Sequence, residues 1–179
     1  MIVSAKVLTP IEIIADLAGF TRKKSIEFTP RLFWRMLKSE HSPIRALMFD
    51  IQILGITYPA SVHLSRHKVG VEHFVSTSRP DITGKPRSID DRVNHRMIAN
   101  AQALISMARR RLCTNASEDA REAMELMRDS VREAISNVSG REYGQLFGYA
   151  MVPDCEYRGA CYEMKCCGRK EWAYKEPEL

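Results

Sequence analysis

No run of apolar residues in this chain approaches the ~20 needed to cross a bilayer, so a membrane-spanning protein is not expected. The N-terminal Met-Ile-Val-Ser-Ala-Lys has neither the basic nor the apolar block of a secretory signal, which makes a cytoplasmic protein the expectation. There is no long Lys/Arg run and no aromatic RNA-binding motif, so nucleic acid is not the expected partner. Neither an internal repeat nor a low-complexity linker divides the chain. Cysteines are few, and none forms a Cys-x-x-Cys knuckle. In a reducing compartment the five that occur are expected as thiols or metal ligands rather than bridges.

What remains is a chain of 179 residues, enough for one domain with a real core, with 45% apolar and 27% charged residues. Its formal charge of +5 favours anionic partners, phosphate-bearing small molecules above all.

The hydrophobic pattern changes period along the chain. Thr9-Pro10-Ile11-Glu12 carries the signature of a helix start, and the helix that follows is expected to bury Ile13, Ile14 and Leu17 and to stop near Gly19. Thr29-Pro30 repeats the signal ahead of Leu32, Phe33, Met36 and Leu37. Between residues 47 and 53, Leu47, Phe49, Ile51 and Ile53 alternate with Met48, Asp50 and Gln52, the pattern of a strand ended by Gly55. Tyr58-Pro59 opens a short helix, residues 73–76 suit a strand, and residues 80–88 read as an exposed loop. Val93, Met97, Ala101, Leu104, Ala108 and Leu112 recur at helical spacing, as do Ala123, Met127, Val131, Ala134 and Ile135. Asn115 and Glu118 are spaced as a capping box between them. The fold class is α+β.

One segment stands apart. Residues 65–79 gather Arg66, His67, Lys68, His73 and Arg79 with Ser65, Ser76, Thr77 and Ser78, between apolar runs. A stretch so polar holds a ligand more readily than it fills a core. Its cations suit a phosphate or a flavin ring, and its hydroxyls and imidazoles can orient a base. A solvated basic loop is the plain alternative.

Two separated blocks resemble the flavin-dependent thymidylate synthases. That family carries Arg-His-Arg-x-x-Ser-x-Asn-Glu-x-Ser-x-Arg-Tyr. Arg66, His67 and Lys68 occupy its first three places, Ser76 falls on its second serine, and Arg79 meets its arginine after a one-residue shift. In the second block Asn100 is followed eleven residues on by Arg111, and then by Ala116-Ser117-Glu118-Asp119-Ala120-Arg121 where the family has Ala-Gln-Trp-Glu-Ile-Arg. Upstream, His41-Ser42-Pro43 resembles the family's His-x-x-Pro-Phe-Glu-His.

The resemblance implies a mixed β-sheet flanked by helices in residues 1–150, assembling as a homotetramer that binds FAD between subunits. It implies NADPH as reductant and transfer of a methylene from methylenetetrahydrofolate to dUMP, a pyrimidine deoxynucleotide. Carried over by position, Arg66, His67, Lys68 and Asn100 would contact the flavin. Ser76, Arg79 and Arg111 would bind substrate, and Arg111, Ser76 and His41 would form the catalytic group. His63, His73 and Asn115 stand where the family has glutamine, asparagine and histidine, changes that bear on which base or folate is read. A non-catalytic nucleotide- or metal-binding protein that keeps the fold is the alternative.

Residues 151–179 lie outside the resemblance and form a cysteine-rich tail. Cys155, Cys161, Cys166 and Cys167 fall close together there, a set that suits zinc or an iron–sulfur cluster, three of the four with another group being the easier arrangement. Free thiols are the alternative.

Overall fold

Alternating burial organises a four-stranded sheet. In the computed structural model, which describes residues 1–86 and 88–168, the strands are β1 (Ile2–Val7), β2 (Met48–Thr57), β3 (Val71–Val75) and β4 (Arg92–Asn100), in the order β1-β2-β4-β3. All three pairings are antiparallel, which corrects the expectation of a mixed sheet. Across the sheet Val7, Phe49, Ala99 and Val71 line up in one row, and Ala5, Ile51, Met97 and His73 in the next. Phe49, Ile51, Met97 and Ala99 are completely buried, so these rows form the core face. The other face carries Ile2, Leu54 and Phe74 exposed, with Arg96 bridging to Asp50 at 2.7 Å.

Eight helices complete the described residues: α1 (Ile13–Arg22), α2 (Pro30–Lys38), α3 (Tyr58–Ser65), α4 (Pro80–Thr83), α5 (Ala101–Arg111), α6 (Glu118–Ser139), α7 (Arg141–Ala150) and α8 (Asp154–Arg158). Helix α6 packs on β1, β2 and α3, and α7 lies against both α6 and α2. Gly144 makes the α6–α7 approach: a Cβ there would stand 2.4 Å from the Arg132 carbonyl oxygen. Phe147 meets Phe49 at 5.2 Å between ring centroids, tying this layer to the sheet. Among the described residues no helix is long and apolar enough to cross a membrane.

Several boundaries differ from the sequence expectation. Val93 and Met97 lie on β4, because Val93, His95, Met97 and Ala99 alternate inward and the helix begins only at Ala101. Gly55 does not end β2; at φ 72° it sits in a bulge between Ile53 and Ile56 that lets the strand continue. Thr9 does not cap α1 but bridges the 3-10 turn Ser42–Ala46 to β2, donating to Ala46 O and accepting from Met48 N, both at 3.0 Å. Helix α1 starts at Ile13, runs past Gly19 to Arg22 and leaves Leu17 exposed. Asn115 forms no capping box; it donates to Lys165 O at 2.5 Å, and α6 starts after Ser117.

Candidate functional site

Two chain segments far apart in sequence are locked together where α3 ends and α5 begins. Arg66 is the C-cap of α3, and the chain then turns through residues 67–70 to enter β3. Gly70 adopts φ 74°, and a Cβ on it would stand 2.5 Å from Asn100 Nδ2, so the turn presses directly on that side chain. Asn100 holds both sides: its backbone N–H donates to Gly70 O at 2.9 Å, and its Oδ1 caps α5 by accepting from Ala103 N at 2.8 Å. One asparagine thus sets the turn of residues 66–70 against the helix that ends in Arg111.

At the far end of α5 the Arg111 Nε–H donates to His67 Nε2 at 3.1 Å. That contact requires an unprotonated Nε2, so His67 is the neutral tautomer with hydrogen on Nδ1. Burial pushes its pKa down to about 4, aided by the charges of Arg111, His73 and Arg110. The Arg111 guanidinium is also pushed below its ordinary value, first by burial and then by Arg66 and Arg110. His63 follows the same pattern, lowered by burial and then by Arg111 and Arg66. Arg66, Arg110 and Arg111 therefore share one electropositive locality with His63 and His67. Arg110 pairs with Glu163 at 3.1 Å, but among the described residues neither Arg66 nor Arg111 forms an ion pair.

Beside this cluster opens a cavity of about 390 Å³, walled by Tyr58, Pro59, Val62 and Ile89, with His63, Arg66 and Ser88 as its polar side. An apolar wall facing the Arg66 guanidinium suits a flat ring bearing an anionic group.

The remaining sequence candidates are distributed elsewhere. Lys68 is exposed next to His67. Ser76 extends the sheet ladder, its N–H donating to Asn94 O at 2.8 Å and its Oγ accepting from Asn94 N at 2.9 Å. Arg79 is exposed and bound by Asp81 through two hydrogen bonds of 3.0 and 2.5 Å. His41 is exposed and lines a separate cavity of about 510 Å³ with Arg22, Arg35 and Lys38.

The metal site expected of the cysteine tail finds no support in the structure. Among the described residues no cysteine is in a disulfide, and no group of three or more His, Cys, Asp or Glu side chains is arranged to hold a metal ion. Cys155, Cys161 and Cys167 border one small cavity with Cys113, and Cys166, which accepts from Gly168 N at 3.4 Å, lies within hydrogen-bond reach of the Cys161 thiol. Residues 169–179 of the tail lie outside the described residues.

Sequence reasoning missed Ser61 and His95, respectively 2% and 1% exposed. Ser61 Oγ lies 3.1 Å from His95 Nδ1, His95 Nε2 lies 2.9 Å from His73 Nδ1, and His73 Nε2 donates to the His67 carbonyl at 2.7 Å. The alternation of Val93, His95, Met97 and Ala99 was the available signal, hidden by the helical spacing that Val93 and Met97 share with Ala101.

His95 and His67 set a pH dependence. Burial, then the charge of His73, brings the His95 pKa from 6.5 down to about 4. The unfolded chain therefore binds more protons than the folded one between those values. Stability is complete above pH 6.5 and is lost as pH falls toward 4, at about 1 kcal/mol per unit from His95. Urea unfolding followed from about pH 7 to pH 5 is expected to show this slope added to a similar one from His67, and His95→Gln to remove only its own share.

The fold built around this site is that of the flavin-dependent thymidylate synthases. The chain is similar to a flavin-dependent thymidylate synthase from Helicobacter pylori complexed with FAD and dUMP, at 15% identity and a TM-score of 0.66 over 77% of this chain and 97% of that one. A second structure of the Helicobacter pylori enzyme, also with FAD and dUMP, gives 13% identity and a TM-score of 0.65 over 83% and 99% of the two chains. A UMP/dUMP methylase, PolB from Streptomyces cacaoi, bound with 5-Br dUMP, gives 10% identity and a TM-score of 0.61 over 84% and 97%. No protein-family model matches the chain, and no curated protein matches its sequence.

Proposed function

We propose that this protein is an FAD-dependent enzyme that transfers a one-carbon unit to a pyrimidine deoxynucleotide, converting dUMP to dTMP or making a related base modification. The observation that carries the reading is the convergence of Arg66 and Arg111, neither in an ion pair among the described residues, beside neutral His67 and an apolar cavity. The fold supports it, since solved proteins of this fold were captured with FAD and dUMP.

The donor set suits a flavin and a nucleotide. Arg66, His67 and Lys68 would hold the flavin, with Asn100 fixing the turn that carries them and offering its amide. When bound, FAD supplies the hydride and one-carbon chemistry, with NADPH as reductant and methylenetetrahydrofolate as carbon donor. Arg111 has its Nε engaged by His67, which leaves the two terminal nitrogens of its fork for carbonyl or phosphate oxygens. Placed against a uracil carbonyl, that fork stabilises the enolate-like charge that develops as the ring is attacked. Ser76 and Arg79 are proposed for the nucleotide phosphate, Arg79 exchanging Asp81 for it, and His41 for the flavin and folate edge. Residues 1–150 would be the catalytic domain of a cytoplasmic homotetramer, with 151–179 as an appended tail.

Purified protein is expected to take up FAD with flavin absorbance, to change that spectrum on addition of dUMP, and to oxidise NADPH. Failure to hold FAD contradicts the proposal. Nucleotide binding without NADPH oxidation supports the second reading, a non-catalytic nucleotide- or metal-binding protein that keeps the fold.

A further inference from the structure

We infer that Ser61, His95 and His73 form a directed string of hydrogen bonds that positions Arg111. The ligand this serves rests on the function proposed above; the string itself does not. Its direction follows from one fixed end. The His67 carbonyl can only accept, so His73 carries its hydrogen on Nε2. In the string we infer, the His73 ring holds that single hydrogen and accepts at Nδ1, so His95 donates from Nε2. Neutral His95 in turn accepts at Nδ1, and the Ser61 hydroxyl donates to it. The carbonyl and a single hydrogen on the His73 ring together orient three bonds.

The string positions rather than conducts. It terminates on a peptide carbonyl, which passes no proton onward. Its deep end is sealed, with Ser61 at 2% and His95 at 1% exposure, so water cannot readily replace a missing partner. What it holds is the His67 peptide, and with it the ring whose Nε2 engages Arg111 Nε. The guanidinium is thereby constrained from two sides, by α5 and by the turn of residues 66–70. None of the three string residues reaches the ligand-facing fork, which makes them positioning residues and not catalytic ones.

Long-range proton–nitrogen NMR on histidine-labelled protein at neutral pH reads the tautomers without any ligand. The expected pattern is hydrogen on Nδ1 of His67 and on Nε2 of both His73 and His95. Hydrogen on Nδ1 of His95, or on Nε2 of His67, overturns the string. The positioning role is read by calorimetric titration of dUMP into the FAD-loaded protein. Ser61→Ala is expected to weaken dUMP about tenfold with FAD content unchanged, and Ser61→Thr, which keeps the hydroxyl, to restore most of it. If Ser61→Ala does not fold, His73→Val at the less buried end gives the same reading. Wild-type affinity in the folded variants overturns the role. Absence of dUMP binding by the wild type overturns the proposed function and with it the nucleotide role, while the NMR pattern still decides the string.

Discussion

Replacing Arg111 by alanine is expected to lower dUMP affinity of the FAD-loaded protein about 100-fold or more without lowering its melting temperature. The two halves of that expectation have separate physical grounds. Each charge-assisted hydrogen bond from the fork to a carbonyl or phosphate oxygen is worth about 1.5–3 kcal/mol, so two of them correspond to at least roughly two decades of affinity. Stability behaves differently, because the folded protein gains little from this side chain. Arg111 is half-buried, faces the charges of Arg66 and Arg110, and has one hydrogen bond, to His67. Desolvation and like-charge repulsion both oppose its burial. A cation kept in an unfavourable place is what a ligand-facing residue looks like. A variant that loses melting temperature while keeping nucleotide affinity would mark Arg111 as structural.

Glu40→Ala is expected to have the largest effect on stability. Glu40 adopts φ 48° just before His41, and its carboxylate accepts from Arg109 Nη2 and from Gln102 Nε2. The side chains of Arg109 and Glu40 are only 15% and 21% exposed. Arg109 also lies 3.7 Å from the centroid of the Tyr157 ring, whose hydroxyl donates to Lys38 O at 3.2 Å. Its Nε is buried with no hydrogen-bond partner among the described residues, so the carboxylate carries much of the compensation for burying the charge. Removing it leaves a guanidinium desolvated and unpaired, at a cost of about 3 kcal/mol, or a fall in Tm of roughly 6–12 °C. Glu40→Ala combined with Arg109→Leu is expected to recover most of that loss, which thermal unfolding of the single and double variants measures. Because Arg109 lies two residues before Arg111, dUMP affinity is expected to weaken in the single variant as well.

The helices with strong one-sided patterns were legible in the sequence, and so was the strand around Phe49, Ile51 and Ile53. The start of β4 was not. Val93, Met97 and Ala101 satisfy a four-residue spacing and a two-residue spacing at once, and only the sheet partners of His95 and Met97 decide between them. The strand β1 has one face half-buried and the other exposed, so its few apolar residues gave a weak signal. In the site, the resemblance named both blocks that Asn100 and Gly70 lock together, and it named Arg66, His67 and Arg111. The string behind them was out of reach, since a buried serine and a buried histidine 34 residues apart meet only through the packing of α3 on β4.

The most direct test is a calorimetric titration of FAD-loaded protein with dUMP and, in parallel, with deoxyuridine, which lacks the phosphate. The account predicts saturable dUMP binding, deoxyuridine binding weaker by at least about tenfold, and loss of the dUMP signal in Arg111→Ala. Equal binding of the two ligands, or dUMP binding that survives in Arg111→Ala, would contradict it.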